Sequence, residues 1–141
     1  MLSAEAKIRV RYAETDRMGY VYYGNYATYY EVARGELVRK IGVTYVQLED
    51  DGYFLPIAEL KIKYLKPALY DELLTVRVTL KNFESAKLEF EYEVYNQQGE
   101  LINTGYTLQV FINGKTRRPT RPPKYFVKAL EKAIERENQA N

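Results

Sequence analysis

Alternation of apolar and polar residues predicts five β-strands in this chain. They lie at about residues 6–12, 55–65, 73–83, 87–95 and 101–113. In the segment 73–83 the alternation is regular, with Leu74, Val76 and Val78 on one face. Turn-forming residues such as Pro67, Ser85 and Gly99 separate the last four segments. These connections are too short for helical crossovers, so we expect antiparallel hairpins.

A period of three to four residues predicts a helix from about 25 to 41. Tyr26, Tyr30, Ala33, Leu37 and Ile41 mark its apolar face. Asn25 suits the N-cap and Gly42 suits the position after the helix. Residues 44–51 form either a short second helix or an ordered loop. A final helix begins after Pro122-Pro123, with an apolar stripe of Phe126, Val127, Leu130 and Ile134.

The predicted lengths favour an α+β architecture. A helix over 25–41 is roughly 25 Å long at 1.5 Å per residue. Strands of about 11 residues reach roughly 35 Å, which is long enough for a sheet to curl around that helix. With 141 residues, the chain suits one domain.

Composition and charge indicate in which compartment the protein lies and whether it binds nucleic acid. No run of 18 apolar residues is present to cross a bilayer, and the N-terminus lacks the apolar core of a signal peptide. We therefore expect a cytoplasmic protein without a transmembrane segment. The net charge of +2 is too small to indicate general binding of nucleic acid.

Cysteine and histidine are both absent from the sequence. Their absence excludes disulfides, thiol nucleophiles, Cys/His metal sites and every catalytic triad that uses an imidazole. Ser3 lies near the terminus and Ser85 in a predicted turn, so a serine hydrolase is not expected. Carboxylates, lysines and tyrosines are left as acid–base groups.

The junction between the first strand and the main helix combines an acid with a helix N-terminus. Asp16 is the central acid of the loop, and Gly19 and Gly24 suit tight or positive-φ backbone. A helix N-terminus offers unpaired N–H groups and a partial positive charge, which together can hold a developing oxyanion. We expect the chemistry at this junction.

The same residues carry a resemblance to a known family. The pattern comprises Asp16-x-x-Gly19, Val21-Tyr22, Asn25-Tyr26 and Glu31-x-x-Arg34, followed by Tyr64-Leu-Lys-Pro67-Ala68 with Asp71 and by Arg118-Pro119. It resembles the acyl-CoA thioesterases of the hotdog fold, close to the 4-hydroxybenzoyl-CoA thioesterase and Tol-Pal-associated branch. The likeness covers nearly the whole chain.

The resemblance implies a fold and an assembly. The fold would be an antiparallel β-sheet of about five strands wrapped around one long central α-helix, with a C-terminal helix. Similar subunits pair through their sheets, which implies a homodimer or homotetramer with sites at the dimer interface. It implies an acyl-CoA substrate and no cofactor or metal.

The resemblance also implies roles for individual residues. Asp16 matches the catalytic carboxylate, acting as nucleophile or general base. Tyr23 falls where the family places a backbone N–H that polarises the thioester carbonyl, and Gly24 adjoins it. The Tol-Pal branch usually has histidine at the position of Tyr23, so a backbone donor is retained here while any side-chain role of that histidine is lost.

Thioester hydrolysis is feasible without histidine. The leaving group is a thiolate whose conjugate thiol has a pKa of about 8.5, so its departure needs little general acid catalysis. Forming the oxyanion is harder, and one well-aimed donor is worth about 2.7–4 kcal/mol. One carboxylate and one helix terminus therefore suffice in principle.

The remaining candidates are assigned to substrate binding. They are Gly19, Tyr22, Asn25, Tyr26 and Glu31, with Tyr22 and Tyr26 as walls of the acyl pocket. Another hotdog branch places its catalytic carboxylate on the central helix, so Glu31 is an alternative site residue. Glu31 and Arg34 could instead form an ion pair on one helix face.

Three other readings stay open at this stage. The basic segment 115–124 is a solvated connector or an anchor for CoA phosphates, with nucleic-acid binding as a third alternative. A hotdog dehydratase or hydratase would usually need the histidine that is missing. A non-catalytic acyl-CoA sensor or scaffold is the main alternative to a thioesterase.

Overall fold

The five alternating segments form one antiparallel sheet in the computed structural model, which describes residues 1–140. The elements in chain order are β1 (Ser3–Arg9), α1 (Asn25–Lys40), α2 (Tyr45–Asp50), β2 (Tyr53–Phe54), β3 (Ile57–Tyr64), β4 (Leu73–Glu84), β5 (Lys87–Tyr95), β6 (Leu101–Val110), β7 (Ile112–Asn113) and α3 (Lys124–Ala140). The sheet has the order β1-β4-β5-β6-β3, and the short strands β2 and β7 pair separately. The predicted α+β class, antiparallel pairing and C-terminal helix are confirmed.

The core lies between α1 and one face of the sheet. Alternate residues of β5, namely Leu88, Phe90, Tyr92 and Val94, are buried, as are Leu74, Val76 and Val78 of β4. The helix contacts β1 and β4 and buries Tyr26, Tyr29, Tyr30, Ala33 and Leu37. The apolar residues that recur every two positions in the strands thus pack against those that recur every 3.6 positions in the helix.

Helix α1 begins at Asn25 as predicted, but its N-cap lies one residue earlier than predicted. Gly24 is the N-cap and Asn25 is the first helical residue. The side-chain amide of Asn25 donates to the Glu14 carbonyl at 2.8 Å, so this side chain holds the loop instead of capping the helix. At the other end, Gly42 has φ +92°, as predicted for the residue that ends the helix.

The first strand lies closer to the N-terminus than predicted. It covers residues 3–9, and Tyr12 begins a 3₁₀ turn with 78% of its surface exposed, so the predicted extension of the strand to Tyr12 is wrong. The Val10 N–H still donates to the Glu72 carbonyl at 2.9 Å, but the return bond comes from the Asp71 N–H at 3.0 Å, so the regular ladder ends here. Arg11 and Glu14 then close the turn through their side chains.

The last predicted strand is interrupted at Phe111. Its N–H donates to the Ala86 carbonyl at 2.8 Å, and the two residues that follow pair with β2. Phe111 is fully buried and packs against Phe126 of α3, with ring centroids 5.2 Å apart. The apolar residues 110–112 therefore give no sign in the sequence that the chain changes its partner strand at Phe111.

The two remaining helices lie in the segments for which the sequence predicted or allowed a helix. Thr44 caps α2 by accepting the Gln47 N–H at 3.1 Å, so the helical alternative for 44–51 is correct. Helix α3 begins directly after Pro123 and buries Phe126, Leu130 and Ala133. Within residues 1–140, no helix is long and apolar enough to cross a membrane.

One edge of the sheet is apolar and open. Strand β3 is an edge strand, bonded only to β6 in the part of the chain that the structure describes. Leu60 and Tyr64 lie opposite the buried Thr107 and Asn103 of β6, so they belong to the inner face of the sheet. Nevertheless they are 45% and 49% exposed.

Candidate functional site

The acid predicted to carry the chemistry lies in a tight turn. The Asp16 N–H donates to the Tyr20 carbonyl at 2.8 Å, and Gly19 completes the turn with φ +79°. Asp16 Oδ1 accepts the N–H groups of Met18 at 2.9 Å and Tyr20 at 3.2 Å. Within residues 1–140, Oδ2 accepts no hydrogen bond and remains available to a ligand.

Two other segments fix this turn. The Val21 N–H donates to the Ala68 carbonyl at 2.8 Å, next to a short bridge between Tyr20 and Leu69. On the other side, the Glu14 carbonyl accepts the Tyr22 N–H at 2.8 Å. The loop is thus attached to residues that precede it and to a segment almost fifty positions later.

The Glu14 side chain forms a second set of contacts beneath the loop. Its carboxylate accepts the Arg11 N–H at 2.9 Å and the Tyr29 hydroxyl at 3.1 Å, and it forms an ion pair with the Arg11 guanidinium. Burial alone would raise the pKa of Glu14, but the hydrogen bonds from Arg11 and Tyr29 outweigh it and lower that pKa.

The N-terminus of α1 has free donors beside this loop. Its N-cap, Gly24, provides no side-chain hydrogen bond. Within the described residues, the N–H groups of Tyr23 and Gly24 have no hydrogen-bond partner, whereas the Asn25 N–H donates to the Tyr22 carbonyl at 2.9 Å. Free N–H groups at a helix N-terminus suit the binding of a negatively charged oxygen.

A cavity of about 350 Å³ joins the acid to the helix start. Its lining consists of Asp16, Met18, Tyr20, Val21, Tyr23, Tyr26, Tyr64, Leu65, Lys66 and Pro67. Burial raises the pKa of Tyr26 to about 12, so its hydroxyl stays protonated at neutral pH. The wall is mainly aromatic and aliphatic, with Asp16 as its one carboxylate and Lys66 engaged by Glu100.

The structure brings three of the sequence-predicted residues to this cavity. They are Asp16, Tyr23 and Tyr26, and Gly24 directly follows the second of them. Tyr22 is not in the lining: its ring lies against Tyr23, with centroids 4.4 Å apart. Gly19 and Asn25 shape the loop through backbone conformation and a hydrogen bond to Glu14.

Glu31 lies on a different cavity, together with Arg34 and Tyr45. The ion pairs among residues 1–140 do not include Glu31 with Arg34, so that predicted pair is wrong. Arg34 is 6% exposed and donates to the Tyr92 hydroxyl at 3.1 Å. The guanidinium therefore points into the core, while Glu31 remains on the surface.

The segment 64–67 forms one side of the cavity, and sequence reasoning gave it no role in the site. Tyr64 is the last residue of β3, and the three residues that follow it end at the turn residue Pro67. One sequence signal could have identified them. An aromatic residue, Tyr64, ends a strand, and the loop after it returns to the Asp16 turn.

The basic segment 115–124 lies at the opposite end of β3 from the cavity. The Gly114 N–H donates to the Gly52 carbonyl at 2.8 Å, and the Asn113 N–H to the Arg118 carbonyl at 2.9 Å. The seven residue steps of β3 separate the two ends by roughly 23 Å at 3.3 Å per residue. The segment is therefore not part of this subunit's cavity.

Comparisons with known proteins agree on one family. The family model for the thioesterase-like superfamily matches residues 10–130. A crystal structure of DHNA-CoA thioesterase from Staphylococcus aureus superposes with a TM-score of 0.92 at 35% identity, covering 100% of this chain and 97% of that one.

Two curated relatives also match most of the chain. YneP of Bacillus subtilis, named provisionally as an acyl-CoA thioesterase, is 32% identical over 123 residues, which is 87% of this chain and 89% of YneP. The acyl-CoA thioester hydrolase YbgC of Escherichia coli is 27% identical over 120 residues, covering 85% of this chain and 90% of YbgC.

Proposed function

The chain belongs to the thioesterase-like superfamily, and on that premise we propose that it hydrolyses an acyl-CoA thioester to a free acid and coenzyme A. The observation that carries the proposal is the shared cavity of Asp16 and Tyr23 at an uncapped helix N-terminus. A carboxylate and an oxyanion donor are the two groups that this hydrolysis needs.

Asp16 is the group that activates or performs the attack. One carboxylate oxygen is occupied by the N–H groups of Met18 and Tyr20, and this holds the other in a defined direction. As a general base, that oxygen takes a proton from water while the water oxygen bonds to the thioester carbon. As a nucleophile, it forms an anhydride and expels the thiolate, and water then hydrolyses the anhydride.

The backbone beside Tyr23 and Gly24 is the proposed oxyanion hole. In the general-base route the C–S bond breaks when the tetrahedral intermediate collapses, and the proton held by Asp16 can pass to the departing thiolate. A properly directed N–H contributes about 2.7–4 kcal/mol to the stability of the transition state. The free N–H groups of Tyr23 and Gly24 support this assignment.

The acyl group binds against the aromatic wall of the cavity. Tyr26 is almost fully buried and packs edge-to-face on Tyr64, with ring centroids 5.5 Å apart. Rigid aromatic side chains supply contact area with little loss of conformational entropy. A cavity of about 350 Å³ has the size of a small-molecule site.

The hotdog arrangement also implies an assembly of subunits. We infer a homodimer formed along the open edge of β3, with the two cavities at the subunit boundary and a homotetramer as a further stage. The support is the unpaired edge and its exposed Leu60 and Tyr64. An exposed apolar edge strand is an aggregation hazard unless another chain covers it.

The first test is thiol release from benzoyl, short-chain and long-chain acyl-CoAs by the unaltered protein and by Asp16→Asn. We expect turnover with one acyl class and a loss of at least 100-fold on substitution, which is about 2.7 kcal/mol of barrier. Circular dichroism of both proteins checks that the fold is retained.

Three outcomes would contradict parts of this proposal. Binding of acyl-CoA without thiol release would favour a non-catalytic sensor. Turnover that survives Asp16→Asn but is lost in Glu31→Gln would move the chemistry to the other cavity. Turnover that survives both substitutions would exclude a carboxylate mechanism at either position.

A further inference from the structure

Tyr64 connects the end of β3 to the proposed oxyanion hole. Its hydroxyl donates to the Tyr23 carbonyl at 2.9 Å, across 41 positions of sequence. Its ring lines the cavity and rests on the ring of Tyr26. It is therefore the side chain that attaches strand β3 to the residue preceding the N-cap of α1.

Both peptide units that flank the backbone of Tyr23 are anchored through their carbonyls. The Tyr22 carbonyl accepts the Asn25 N–H at 2.9 Å, and the Tyr23 carbonyl accepts the Tyr64 hydroxyl. A trans peptide is planar with its N–H opposite its C=O, so holding the carbonyl also fixes the direction of the N–H. The first anchor is backbone, whereas the second depends on one side chain.

The two anchored units contain the two N–H groups that lack partners. The N–H of Tyr23 belongs to the peptide held by Asn25, and the N–H of Gly24 belongs to the peptide held by Tyr64. A hydrogen bond to the carbonyl also polarises the peptide, which strengthens the N–H as a donor. The Tyr64 contact therefore acts on the Gly24 N–H through the carbonyl of the same peptide.

We propose that Tyr64 is a positioning residue for thioester hydrolysis, which orients the Tyr23–Gly24 peptide through its hydrogen bond to the Tyr23 carbonyl. This inference rests on the proposed function. Tyr64 acts through the backbone and not on the substrate carbonyl, because its proton is already donated to Tyr23. Burial and the neighbouring Tyr23 raise the pKa of Tyr64, which keeps that proton in place at neutral pH.

Tyr64→Phe removes the hydroxyl and keeps the ring, and Tyr70→Phe is the matched control. Tyr70 is exposed, lies in the adjacent loop and makes no hydroxyl hydrogen bond within residues 1–140. With the best acyl-CoA, we expect kcat of Tyr64→Phe to fall about tenfold, or about 1.4 kcal/mol of barrier. KM should stay within about twofold, since the binding wall keeps its ring, and Tyr70→Phe should match the unaltered protein.

The kinetic outcomes separate this inference from the proposed function. An unchanged kcat in Tyr64→Phe, or a raised KM with unchanged kcat, would overturn the positioning role while leaving the thioesterase in place. Absence of thiol release from the unaltered protein would overturn both.

Amide NMR of the ligand-free protein gives a second, independent readout. The ¹⁵N–¹H signal of Gly24 should shift in Tyr64→Phe, because the carbonyl of the same peptide loses its hydrogen bond, while the signals of α3 stay unchanged. An unchanged Gly24 signal would overturn the proposal even if kcat fell, because the peptide would then be held without Tyr64.

Discussion

Asp16 satisfies a structural and a chemical requirement with different oxygens of one carboxylate. Oδ1 accepts two backbone N–H groups of its own turn, and Oδ2 accepts none from residues 1–140. Substitution by asparagine can retain the turn, since the amide oxygen also accepts N–H groups. The neutral amide can neither take a proton from water nor attack a thioester. For this reason asparagine is the informative replacement, whereas alanine would also loosen the loop.

Glu14→Gln should destabilise the fold by about 1–2 kcal/mol at pH 7, because hydrogen bonds to charged groups are worth about 1.5–3 kcal/mol. The pKa of Glu14 is lowered from its ordinary value of 4.5 in the folded protein. Its stabilising contribution is therefore fully present above that value and is lost as the pH falls through the folded-state pKa.

Urea unfolding of both proteins at pH 7 and pH 3 tests this expectation. The difference in unfolding free energy should be large at pH 7 and should shrink at pH 3. A difference that is equal at the two pH values would show that the ionised carboxylate is not the stabilising form.

At the residue scale, sequence reasoning recovered the groups whose chemistry is local. Asp16, Tyr23 and Tyr26 could be placed at one site because an acid, a turn glycine and a helix start follow one another along the chain. Tyr64 could not, because its contact with Tyr23 depends on how β3 pairs with β6. The orientation of the Arg34 side chain could not be predicted either, because spacing alone does not show which polar residue enters the core.

At the scale of elements, β6 and α1 meet where one residue has no side chain. A Cβ on Gly105 would lie well inside van der Waals contact with the ring of Tyr30. That ring cannot move freely, because it stacks on Tyr92 with centroids 4.2 Å apart and donates to Asn103. The close approach of helix to sheet therefore requires glycine at this position.

Gly105→Ala should reduce the unfolding free energy by about 1–3 kcal/mol, the usual cost of overpacking a core. Gly35→Ala is the matched control, and we expect it to increase the unfolding free energy. It lies within α1, where a Cβ would meet only the flexible end of Arg39. The gain in helix propensity is up to about 1 kcal/mol.

Thermal unfolding followed by circular dichroism measures both changes. A Gly105→Ala protein as stable as the unaltered one would mean that Tyr30 can shift without cost. A destabilised Gly35→Ala would mean that the Arg39 side chain cannot move aside.

Element boundaries were predictable where pairing follows the local pattern. The limits of β5 and the stop at Gly42 agree with the sequence expectation, because a hairpin and a positive-φ glycine are local signals. The end of β6 is not local. Phe111 fits the apolar run of a strand, but its N–H donates to the carbonyl of Ala86, which lies in the turn between β4 and β5.

At the scale of the whole molecule, the proposed dimer would form along the open edge of β3. Leu60 is exposed on the inner side of this strand, so a partner subunit would cover it. Leu60→Glu should shift the protein towards smaller species and reduce thiol release, because a buried charge at an interface is costly. Val46→Glu, at an exposed position of α2, should change neither property.

Light scattering coupled to size exclusion gives the molar mass of each variant. An unaltered protein that remains a monomer at micromolar concentration would exclude the proposed dimer. A Leu60→Glu protein with an unchanged mass would locate the contact elsewhere on the surface.

The architecture as a whole was predictable because strand spacing, helix length and the ordered motif all indicate the same fold. The apolar patterns gave an α+β fold with an antiparallel sheet, and the family match is consistent with it. The positions of exposed apolar residues were not predictable, because alternation in β3 does not reveal that α1 leaves its inner face uncovered.

The position of β3 in the sheet also determines when the cavity can form during synthesis. All the residues that line it lie between positions 16 and 67, in the first half of the chain. Among residues 1–140, however, β3 is attached to the rest of the sheet only through β6, which ends at Val110. On a ribosome that releases the chain from its N-terminus, every lining side chain emerges well before the strand that holds Tyr64 against Tyr23. We therefore expect the proposed active site to assemble only after β6 has left the exit tunnel.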